Sequence, residues 1–341
     1  MSVETSARSA AEVLAWSREL VDPALRDAVD ALPDSMRAIA AFHFGWRDER
    51  GRPASGNAGK AIRPALTLLA AEAVGGAAAA AVPAAVAVEL THNFSLLHDD
   101  VIDGDLTRRH RPTAWSVFGA NAAILAGDAL LAASFEILAA GRGAVAGVRT
   151  LSRAVLDLVE GQSADLAFEE RCDVTLDECL TMASRKTGAL LGGACALGAA
   201  AGGGTPDQVA RLCAFGDRIG LAFQLVDDLL GIWGDPAVTG KPVHSDLRNR
   251  KKSLPVVAAL TSGTPEGGEL AALYAGSGSL DGDEPAHAAA LIDAAGGRGW
   301  AADRAGDLLE EAKAELAAAA PAAVAAAELH ALADLVTHRD H

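Results

Sequence analysis

The stretch from Glu89 to Thr113, ELTHNFSLLHDDVIDGDLTRRHRPT, constrains the fold more than any other because it sets an aspartate cluster into an apolar segment. The segment predicts a helix, on which Asp99 and Asp103 project from one face with their Cβ atoms about 5–6 Å apart. Two carboxylates at that distance repel each other unless a cation lies between them. A solvated acidic patch is the alternative, but apolar neighbours such as Leu97 and Val101 favour a core helix with a metal ion at its edge.

A second acidic segment, FQLVDDLLGIWGD, lies in the predicted helix Gln208–Trp233. Its first aspartate, Asp227, is so far along the chain from Asp99 that the two clusters must belong to different helices. Gln224 lies one turn before the aspartates, and Gly231 stands where a third aspartate would continue the pattern. Long Ala/Leu-rich runs and an aromatic content of only 4% favour close-packed helices over sheets. We therefore expect one all-α domain over residues 1–341, with one helical run from Ala114 to Ala140 and a loop from Asp235 to Asn249.

Net charge and cysteine usage limit the possible partners and compartments. A net charge of −16 argues against a nucleic-acid surface, so any anion site must come from locally clustered Lys and Arg. The four cysteines show no metal-binding spacing, which predicts buried thiols in a reducing compartment. The N-terminal stretch lacks the pattern of a secretory signal, and no uncharged apolar run reaches about 20 residues. These features predict a cytoplasmic protein without a membrane span.

Cations cluster in several further segments, and each could bind an anion or be a solvated surface charge. In GKAIRP, Lys60 and Arg63 lie at a loop-to-helix junction, where unpaired backbone N–H groups favour an anion. In MASRKTGALLGG, Lys186 either extends to solvent or faces an anion in a cavity. His92, taken in isolation, is most simply a core histidine. The other candidate cations are Arg108, Arg109, Lys241 and Lys251.

Two aspartate clusters on facing helices of a bundle can share hard divalent cations. Magnesium is the expected ion because it takes few carboxylates and leaves positions for phosphate oxygens. The clustered cations would supply the remaining counter-charge, so the pattern predicts a site for diphosphates. A diphosphate held by magnesium is an activated leaving group, and an allylic one would leave a carbocation that needs apolar, water-free walls. An Ala/Leu/Val-lined bundle meets that need.

Five motifs occur in one order between Gly59 and Pro255: GKxxRP, HxxxxxHDDxxD followed by RR, KTG, FQxxDD, and GK…D…KxSLP. With them the chain resembles the trans-isoprenyl (polyprenyl) diphosphate synthases, the group containing the farnesyl and geranylgeranyl diphosphate synthases. The resemblance implies an all-α bundle of the isoprenoid synthase type with a central active-site cavity, and a homodimer. It also implies a magnesium-dependent prenyltransferase acting on an allylic diphosphate and isopentenyl diphosphate. In the implied reaction the allylic diphosphate ionises, the isopentenyl double bond attacks the cation, and a proton is lost to the departing diphosphate.

The resemblance implies a role for each matching residue. The residues that would bind magnesium, with three ions per site, are Asp99, Asp103 and Asp227. Those expected to contact the allylic diphosphate or its ions are Arg108, Lys186, Gln224, Lys241 and Lys251. Those expected to form the pocket for isopentenyl diphosphate are Lys60, Arg63, His92 and Arg109. Two further matches, in roles that the motifs leave open, are Thr187 and Asp228.

Two residues of the first acidic helix are predicted to set the product length. The growing chain should run down the same helix from Asp99, so Ser95 and Phe94, four and five positions earlier, would form its floor. A bulky Phe94 beside a small Ser95 resembles the geranylgeranyl synthase pattern, which predicts a twenty-carbon product, with fifteen carbons next.

Gly231 departs from the usual third aspartate of the second motif. Asp235 could offset that loss, although we favour a loop cap as its role.

Two other functions share some of these features. A class I terpene cyclase would have the bundle and the aspartates but no reason to keep a second diphosphate pocket. The residues that argue against it are therefore Lys60, Arg63, His92 and Arg109. A non-catalytic partner subunit of a synthase is suggested only by Gly231. The aspartates of the first motif, whose loss would have supported that view, are present. The sequence therefore favours the synthase.

Overall fold

The computed structural model describes residues 7–54, 56, 59–141, 143–235, 243–276 and 278–337, and regular structure over these residues is almost entirely helical. In chain order the α-helices are α1 Ala10–Asp30, α2 Asp34–His43, α3 Ile62–Ala73, α4 Ala78–Ile102, α5 Ala114–Phe118, α6 Ala120–Ala139, α7 Ala144–Glu170, α8 Leu176–Ala183, α9 Ala189–Ala201, α10 Pro206–Trp233, α11 Ser245–Arg248, α12 Leu254–Leu260, α13 Pro265–Tyr274, α14 Glu284–Ala294, α15 Gly297–Ala318 and α16 Ala323–Thr337. A π-helix, Ser184–Gly188, connects α8 and α9. A short antiparallel hairpin pairs β1 Thr107–Arg108 with β2 Arg111–Pro112. The predicted all-α class is confirmed.

The chain divides into two compact units. Unit 1 comprises Met1–Arg153, Gly193–Cys213 and Ala317–Leu332. Unit 2 comprises Ala154–Gly192, Ala214–Leu316 and Ala333–His341. The expectation of one domain over residues 1–341 stays a prediction.

Helix α4 forms the core of unit 1. It packs against α3 and α6, and nearly all of its residues from Ala84 to Leu97 are buried. Such a helix has no polar face to turn to solvent, so it must be covered by other helices. By length and composition alone, α4 and α6 could each cross a membrane. In α4, 72% of the most apolar window is buried, as in a core helix, whereas α6 is 33% buried and keeps an apolar outer surface.

The core of unit 2 surrounds the C-terminal half of α10. Leu225 and Leu229 of this helix are buried with Val257 of α12 and Leu308 of α15. The same cluster includes Cys179 of α8. Helix α10 is thereby held in place by its apolar residues, while Asp227 of the second motif is exposed.

Several element boundaries differ from the sequence prediction, each for a local reason. The run predicted as one helix from Ala114 to Ala140 is broken at Gly119, whose positive φ of 89° ends α5. The predicted loop Asp235–Asn249 contains α11, while residues 236–242 lie outside the described ranges. Among the cysteines, Cys172 is exposed, so the prediction of buried thiols is wrong at that position.

Candidate active site

The two outer aspartates of the first motif lie one helical turn apart at the end of α4. Asp103 is the residue after the helix, and its backbone N–H donates to the carbonyl oxygen of Asp99 at 2.8 Å. Asp99 is partly buried and Asp103 is exposed, so both carboxylates have access to solvent. Hard carboxylate oxygens with an open side suit magnesium, which retains water or phosphate ligands. Over the described ranges no group of three or more His, Cys, Asp or Glu is arranged to hold a metal ion. Water or phosphate oxygens would therefore have to complete the coordination shell of the magnesium ion.

The middle aspartate of the first motif is buried and pairs with an arginine of the same chain. Asp100 is 1% exposed, and its Oδ1 accepts a hydrogen bond from Arg108 Nε at 2.6 Å. Burial raises the pKa of Asp100, and the Arg108 guanidinium opposes that shift. The hairpin that carries Arg108 is thus tied to the end of α4 by an ion pair. The predicted contact of Arg108 with the allylic diphosphate stays a prediction.

Three of the four residues predicted to bind isopentenyl diphosphate come together in unit 1. Burial lowers the pKa of Arg63 to about 10, with Glu89 opposing the shift and Arg109 adding to it. Burial, together with the nearby guanidinium groups of Arg63 and Arg109, holds the pKa of His92 well below its usual value. His92 is therefore neutral at pH 7 and can donate a hydrogen bond without adding a charge. Clustered guanidinium groups beside a neutral donor make a pocket for an anion.

The fourth predicted residue, Lys60, lies just before α3, next to a glycine that approaches this cluster. Its neighbour Gly59 has a φ of 92°, and a Cβ atom there would lie 2.5 Å from Arg109 Nη2. Gly59 therefore both allows the turn and lets the loop backbone approach the guanidinium. Lys60 itself is exposed. The structure thus places all four predicted residues around one region of unit 1.

A buried network behind this cluster was not predicted from the sequence. His43 Nε2 donates to Asn93 Oδ1 at 3.1 Å, and Asn93 Nδ2 donates to Glu89 Oε1 at 3.1 Å. Burial lowers the pKa of His43 to about 3 and raises the pKa of Glu89. Glu89 also lines a cavity of about 400 Å³ with Asp22 and Trp46. The spacing of Glu89 and Asn93 on one helix was visible in the sequence, but their contact with His43 depends on the packing of α2.

The second motif, in unit 2, also has one exposed and one buried aspartate. Asp227 is exposed, whereas Asp228 is 4% exposed. Asp228 Oδ1 accepts from Gln224 Nε2 at 2.8 Å, and its Oδ2 accepts from the backbone N–H of Leu254 at 2.9 Å. Thr187 Oγ1 in turn donates to Gln224 Oε1 at 2.7 Å. Asp228 therefore ties α10 to the start of α12, and Gln224 and Thr187 belong to the same chain of hydrogen bonds.

Lys186 lies on the π-helix, an irregularity that often occurs at functional sites. Its Nζ lies 2.6 Å from Asp165 Oδ2 on α7. A Cβ atom at Gly161 would lie 2.8 Å from the Cα of Lys186, so a glycine is needed for α7 to approach the π-helix this closely. Asp165 and Gly161 thus position Lys186, and neither was predicted as a site residue.

Lys251 is the remaining predicted cation within the described residues, and it faces several carboxylates of unit 2. Its Nζ lies 3.9 Å from Asp246 Oδ2. Burial alone would lower the pKa of Lys251, but Asp246 and Asp228 raise it well above its usual value. Lys251 is therefore firmly charged. Lys241 lies outside the described residues, so its predicted role stays a prediction.

The predicted chain-length residues, Phe94 and Ser95, are both buried on α4. Phe94 packs edge to face against His98, with ring centroids 4.7 Å apart, while Ser95 Oγ donates to the carbonyl oxygen of His92 at 2.8 Å. A Cβ atom at Gly127 of α6 would lie 2.5 Å from the His98 ring. Gly127 therefore makes room for the His98 ring, which packs against Phe94. His98 was not among the predicted chain-length residues, because only the positions four and five before Asp99 were expected to form the floor.

The chain is similar in sequence to known proteins. The sequence model of the family described as Polyprenyl synthetase matches residues 51–291. A (2E,6E)-farnesyl diphosphate synthase of Mycobacterium tuberculosis is 51% identical over 294 residues, covering 85% of this chain and 82% of the relative. A geranylgeranyl diphosphate synthase of the same organism is 46% identical over 321 residues, covering 93% of this chain and 91% of the relative.

Solved structures are similar over almost the whole chain. A polyprenyl synthetase from Streptomyces coelicolor A3(2) is 47% identical, with a TM-score of 0.91 and coverage of 96% of this chain and 99% of that one. A geranylgeranyl pyrophosphate synthase from Corynebacterium glutamicum, complexed with isoprenyl diphosphate and magnesium, is 26% identical. Its TM-score is 0.81, with coverage of 96% and 99%. The predicted fold of the isoprenoid synthase type is confirmed.

Proposed function

The chain belongs to the polyprenyl synthetase family, and from this membership we propose that it condenses an allylic diphosphate with isopentenyl diphosphate to give a short-chain trans-polyprenyl diphosphate. As a family member, it is a prenyltransferase. One observation supports the proposal best: α4 carries His92 of the cation cluster and Asp99 of the carboxylate pair seven residues apart. Seven residues span about 10 Å of helix. Two diphosphate-bearing substrates could therefore bind along one rigid element.

The proposed ligands of the metal are Asp99, Asp103 and Asp227, with three magnesium ions per site. The magnesium in the Corynebacterium glutamicum structure supports this choice of ion. When bound, magnesium would stabilise the charge that develops on the leaving diphosphate. Carboxylates with access to solvent, such as Asp103 and Asp227, suit an ion that also holds phosphate oxygens and water.

Side chains of the protein would bind the two diphosphate substrates and exclude water from the reacting carbon atoms. Lys60, Arg63 and Arg109 would hold isopentenyl diphosphate, with neutral His92 as a hydrogen-bond donor. Arg108, Lys186, Gln224, Lys241 and Lys251 would contact the allylic diphosphate or its ions. Apolar side chains below Asp99 would surround the carbocation and exclude water. The proton released in the condensation would pass to the departing diphosphate, so no side-chain base is needed.

We propose a twenty-carbon product. Buried Phe94, packed against His98, would form the floor beside small Ser95, and the 46% identity to a geranylgeranyl diphosphate synthase supports the same length. A fifteen-carbon product is the second candidate, favoured by the 51% identity to a farnesyl diphosphate synthase. Product sizing with dimethylallyl, geranyl and farnesyl diphosphate as primers would separate the two.

Substitution of the floor tests its location. Phe94→Ala should lengthen the product by at least one isoprene unit, because it removes bulk where the chain is expected to end. Ser95→Ala is the matched control, since it barely changes the volume and its hydroxyl only bonds the backbone of its own helix. An unchanged product from Phe94→Ala would place the floor elsewhere.

The reaction itself is tested by incubation of the protein with labelled isopentenyl diphosphate, magnesium and each allylic primer. Elongated, labelled diphosphate is the expected result. Hydrocarbon formed without isopentenyl diphosphate would instead indicate a terpene cyclase, and no product from any primer would indicate a non-catalytic subunit. Either of these two outcomes would refute the proposal.

We also propose that the protein is a homodimer in the cytoplasm. The apolar outer surface of α6 supports a dimer, with Leu125 56% and Ile124 38% exposed. All four cysteines are free thiols, as a reducing compartment requires. Light scattering should give the mass of two chains, and Leu125→Glu should reduce it to one. Val324→Glu, at an exposed valine of α16, is the control and should stay dimeric.

A further inference from the structure

A turn between α2 and α3 forms one wall of the cavity that Glu89 lines in unit 1. Within the turn, the backbone N–H of Ala54 donates to the carbonyl oxygen of Trp46, and that of Gly56 donates to the carbonyl oxygen of Gly45, each at 2.9 Å. A Cβ atom at Gly56 would lie 2.9 Å from the Cα of Gly45, so a glycine is needed for the two arms of the turn to meet. The turn is thereby held in one shape, and the cavity volume of about 400 Å³ is in the usual range for small-molecule sites.

Most of the cavity wall is apolar. Val21 and Leu25 of α1 and Pro64 of α3 are buried and line the cavity. Phe44 and Trp46 line it as well, with their rings stacked at a centroid distance of 4.6 Å and an interplanar angle of 12°. A surface of this kind suits the apolar body of a small organic molecule.

Three side chains with oxygen atoms give the cavity a polar part. Glu89 of α4 and Asp22 of α1 both line it, burial raises the pKa of each, and the charge of Asp22 raises the pKa of Glu89 further. Ser17 of α1 also lines the cavity and is fully buried, and over the described parts of the chain its Oγ has no hydrogen-bond partner. A buried hydroxyl without a partner is costly, so Ser17 points to a ligand that carries hydrogen-bonding groups.

The two arginines of the cavity wall are engaged elsewhere. Arg18 Nη2 donates to the carbonyl oxygen of Gly59 at 2.6 Å, and the Arg26 guanidinium lies over the Trp46 ring, 4.4 Å from its centroid. Both arginines are exposed, whereas Glu89 is buried. The charge that the described residues place inside the cavity is therefore negative, and it favours a cation.

We propose that this cavity binds a small organic ammonium ion, with its apolar body against Phe44 and Trp46 and its charged nitrogen between Asp22 and Glu89. An ammonium group has three N–H donors, which match in number the two carboxylates and the hydroxyl of Ser17. The four residues predicted to bind isopentenyl diphosphate are not among the described residues that line the cavity. The ammonium site is therefore separate from the proposed diphosphate pocket.

Binding of 2-phenylethylamine to the full chain tests the proposal, with 2-phenylethanol as the uncharged analogue. In an NMR titration the amine should bind at least about tenfold more tightly than the alcohol, because only the amine carries the charge that the carboxylates balance. Asp22→Asn should weaken binding of the amine about tenfold for the same reason. Asp27→Asn removes the same charge from an exposed position of α1, and this matched control should bind the amine as the wild type does.

Leu25→Trp fills the cavity from α1 and should abolish binding of the amine. Circular dichroism checks that this variant is folded, and if it is not, Asp22→Asn decides the question because it preserves the shape of the side chain. The proposal would be overturned by a wild-type protein that does not bind the amine or binds the alcohol equally well. Undiminished binding of the amine in Asp22→Asn, or in a folded Leu25→Trp variant, would overturn it too.

Glu89 connects this cavity with the cation cluster, because its charge opposes the lowering of the pKa of Arg63 and Arg109 by burial. An ammonium ion that offsets Glu89 strengthens the attraction of these guanidinium groups for a diphosphate. This consequence rests on the proposed function, and saturating amine should lower the KM for isopentenyl diphosphate about twofold to threefold. An unchanged KM would refute the coupling, and a raised KM would mean competition for the substrate pocket and would overturn the site. A protein that binds the amine in this cavity but elongates no primer would refute the proposed function alone.

Discussion

The two units carry similar acidic motifs in opposite electrostatic surroundings. In unit 1, burial and the guanidinium groups of Arg63 and Arg109 keep His92 neutral. In unit 2, Asp246 and Asp228 keep Lys251 charged. Unit 1 therefore has an excess of positive charge two helical turns from its aspartates, whereas unit 2 has an excess of negative charge around its own. The first arrangement suits an anionic substrate, and the second suits a metal ion.

The middle aspartates of the two motifs, by contrast, behave alike. Asp100 is buried and bonds Arg108, and Asp228 is buried and bonds Gln224 and the backbone of Leu254. In both motifs the middle carboxylate is bonded to other groups of the protein. The outer positions differ, because Asp103 is an exposed residue after the end of α4 while Gly231 admits a carboxylate from another helix. The same sequence pattern thus separates into a structural middle position and outer positions, of which Asp103 and Asp227 are the proposed magnesium ligands.

The largest expected effect concerns an outer aspartate of unit 1. Asp103→Asn should lower kcat at least about 100-fold, because it removes a charge that would hold magnesium at the leaving group. Steady-state elongation of a primer measures the change. Asp105→Asn removes the same charge two residues away and should stay within about threefold of the wild type. Equal losses in the two variants would mean that net charge, rather than the position of Asp103, controls turnover.

The next effect tests the cation cluster of unit 1. Lys60→Ala should raise the KM for isopentenyl diphosphate about tenfold, because it removes a charge-assisted hydrogen bond, and should change the KM for the allylic substrate less than threefold. Arg50→Ala, at an exposed arginine of the same loop, is the control. An equal rise in both KM values for Lys60→Ala would contradict the proposed division between the two diphosphates.

A smaller effect tests the acidic surroundings of Lys251 in unit 2. Lys251→Met should lower the free energy of unfolding by about 1–2 kcal/mol without magnesium, because the nearby carboxylates lose their counter-charge. Added magnesium should recover part of that loss. Urea unfolding with and without magnesium measures both quantities. A loss that magnesium leaves unchanged would argue against a cation site in unit 2.

The smallest effect concerns the pH dependence of unit 1. The pKa of His43 is about 3 in the folded protein against an ordinary value of 6.5, so between these values the unfolded chain binds more protons. Stability contributed by neutral His43 is therefore lost as the pH falls below about 6.5, with a slope of up to about 1.4 kcal/mol per pH unit. From pH 7 to pH 5.5, His43→Gln should lose about 1 kcal/mol less than the wild type in urea unfolding. Equal losses would show that folding does not lower the pKa of His43.

Prediction from sequence succeeded where the determining interactions are local. The one-turn spacing of Asp99 and Asp103 follows from helical geometry, and the all-α class follows from Ala/Leu-rich runs. Prediction was weaker at Gly119, where a positive φ breaks a run that composition alone would make continuous. It failed to identify Asp165 beside Lys186, because that pair joins residues on different helices.

The sequence by itself determined the helices, the spacing of the acidic and basic residues along them, and the family. Only the tertiary structure decided that Asp100 pairs with Arg108 and that Asp228 bonds the backbone of Leu254. It also decided that His43 bonds Asn93 and that the carboxylate of Asp246 lies beside Gly231. The physical reason is that helix formation depends on neighbours within about four residues. Burial, pKa and hydrogen-bond pairing depend instead on which distant segments pack together.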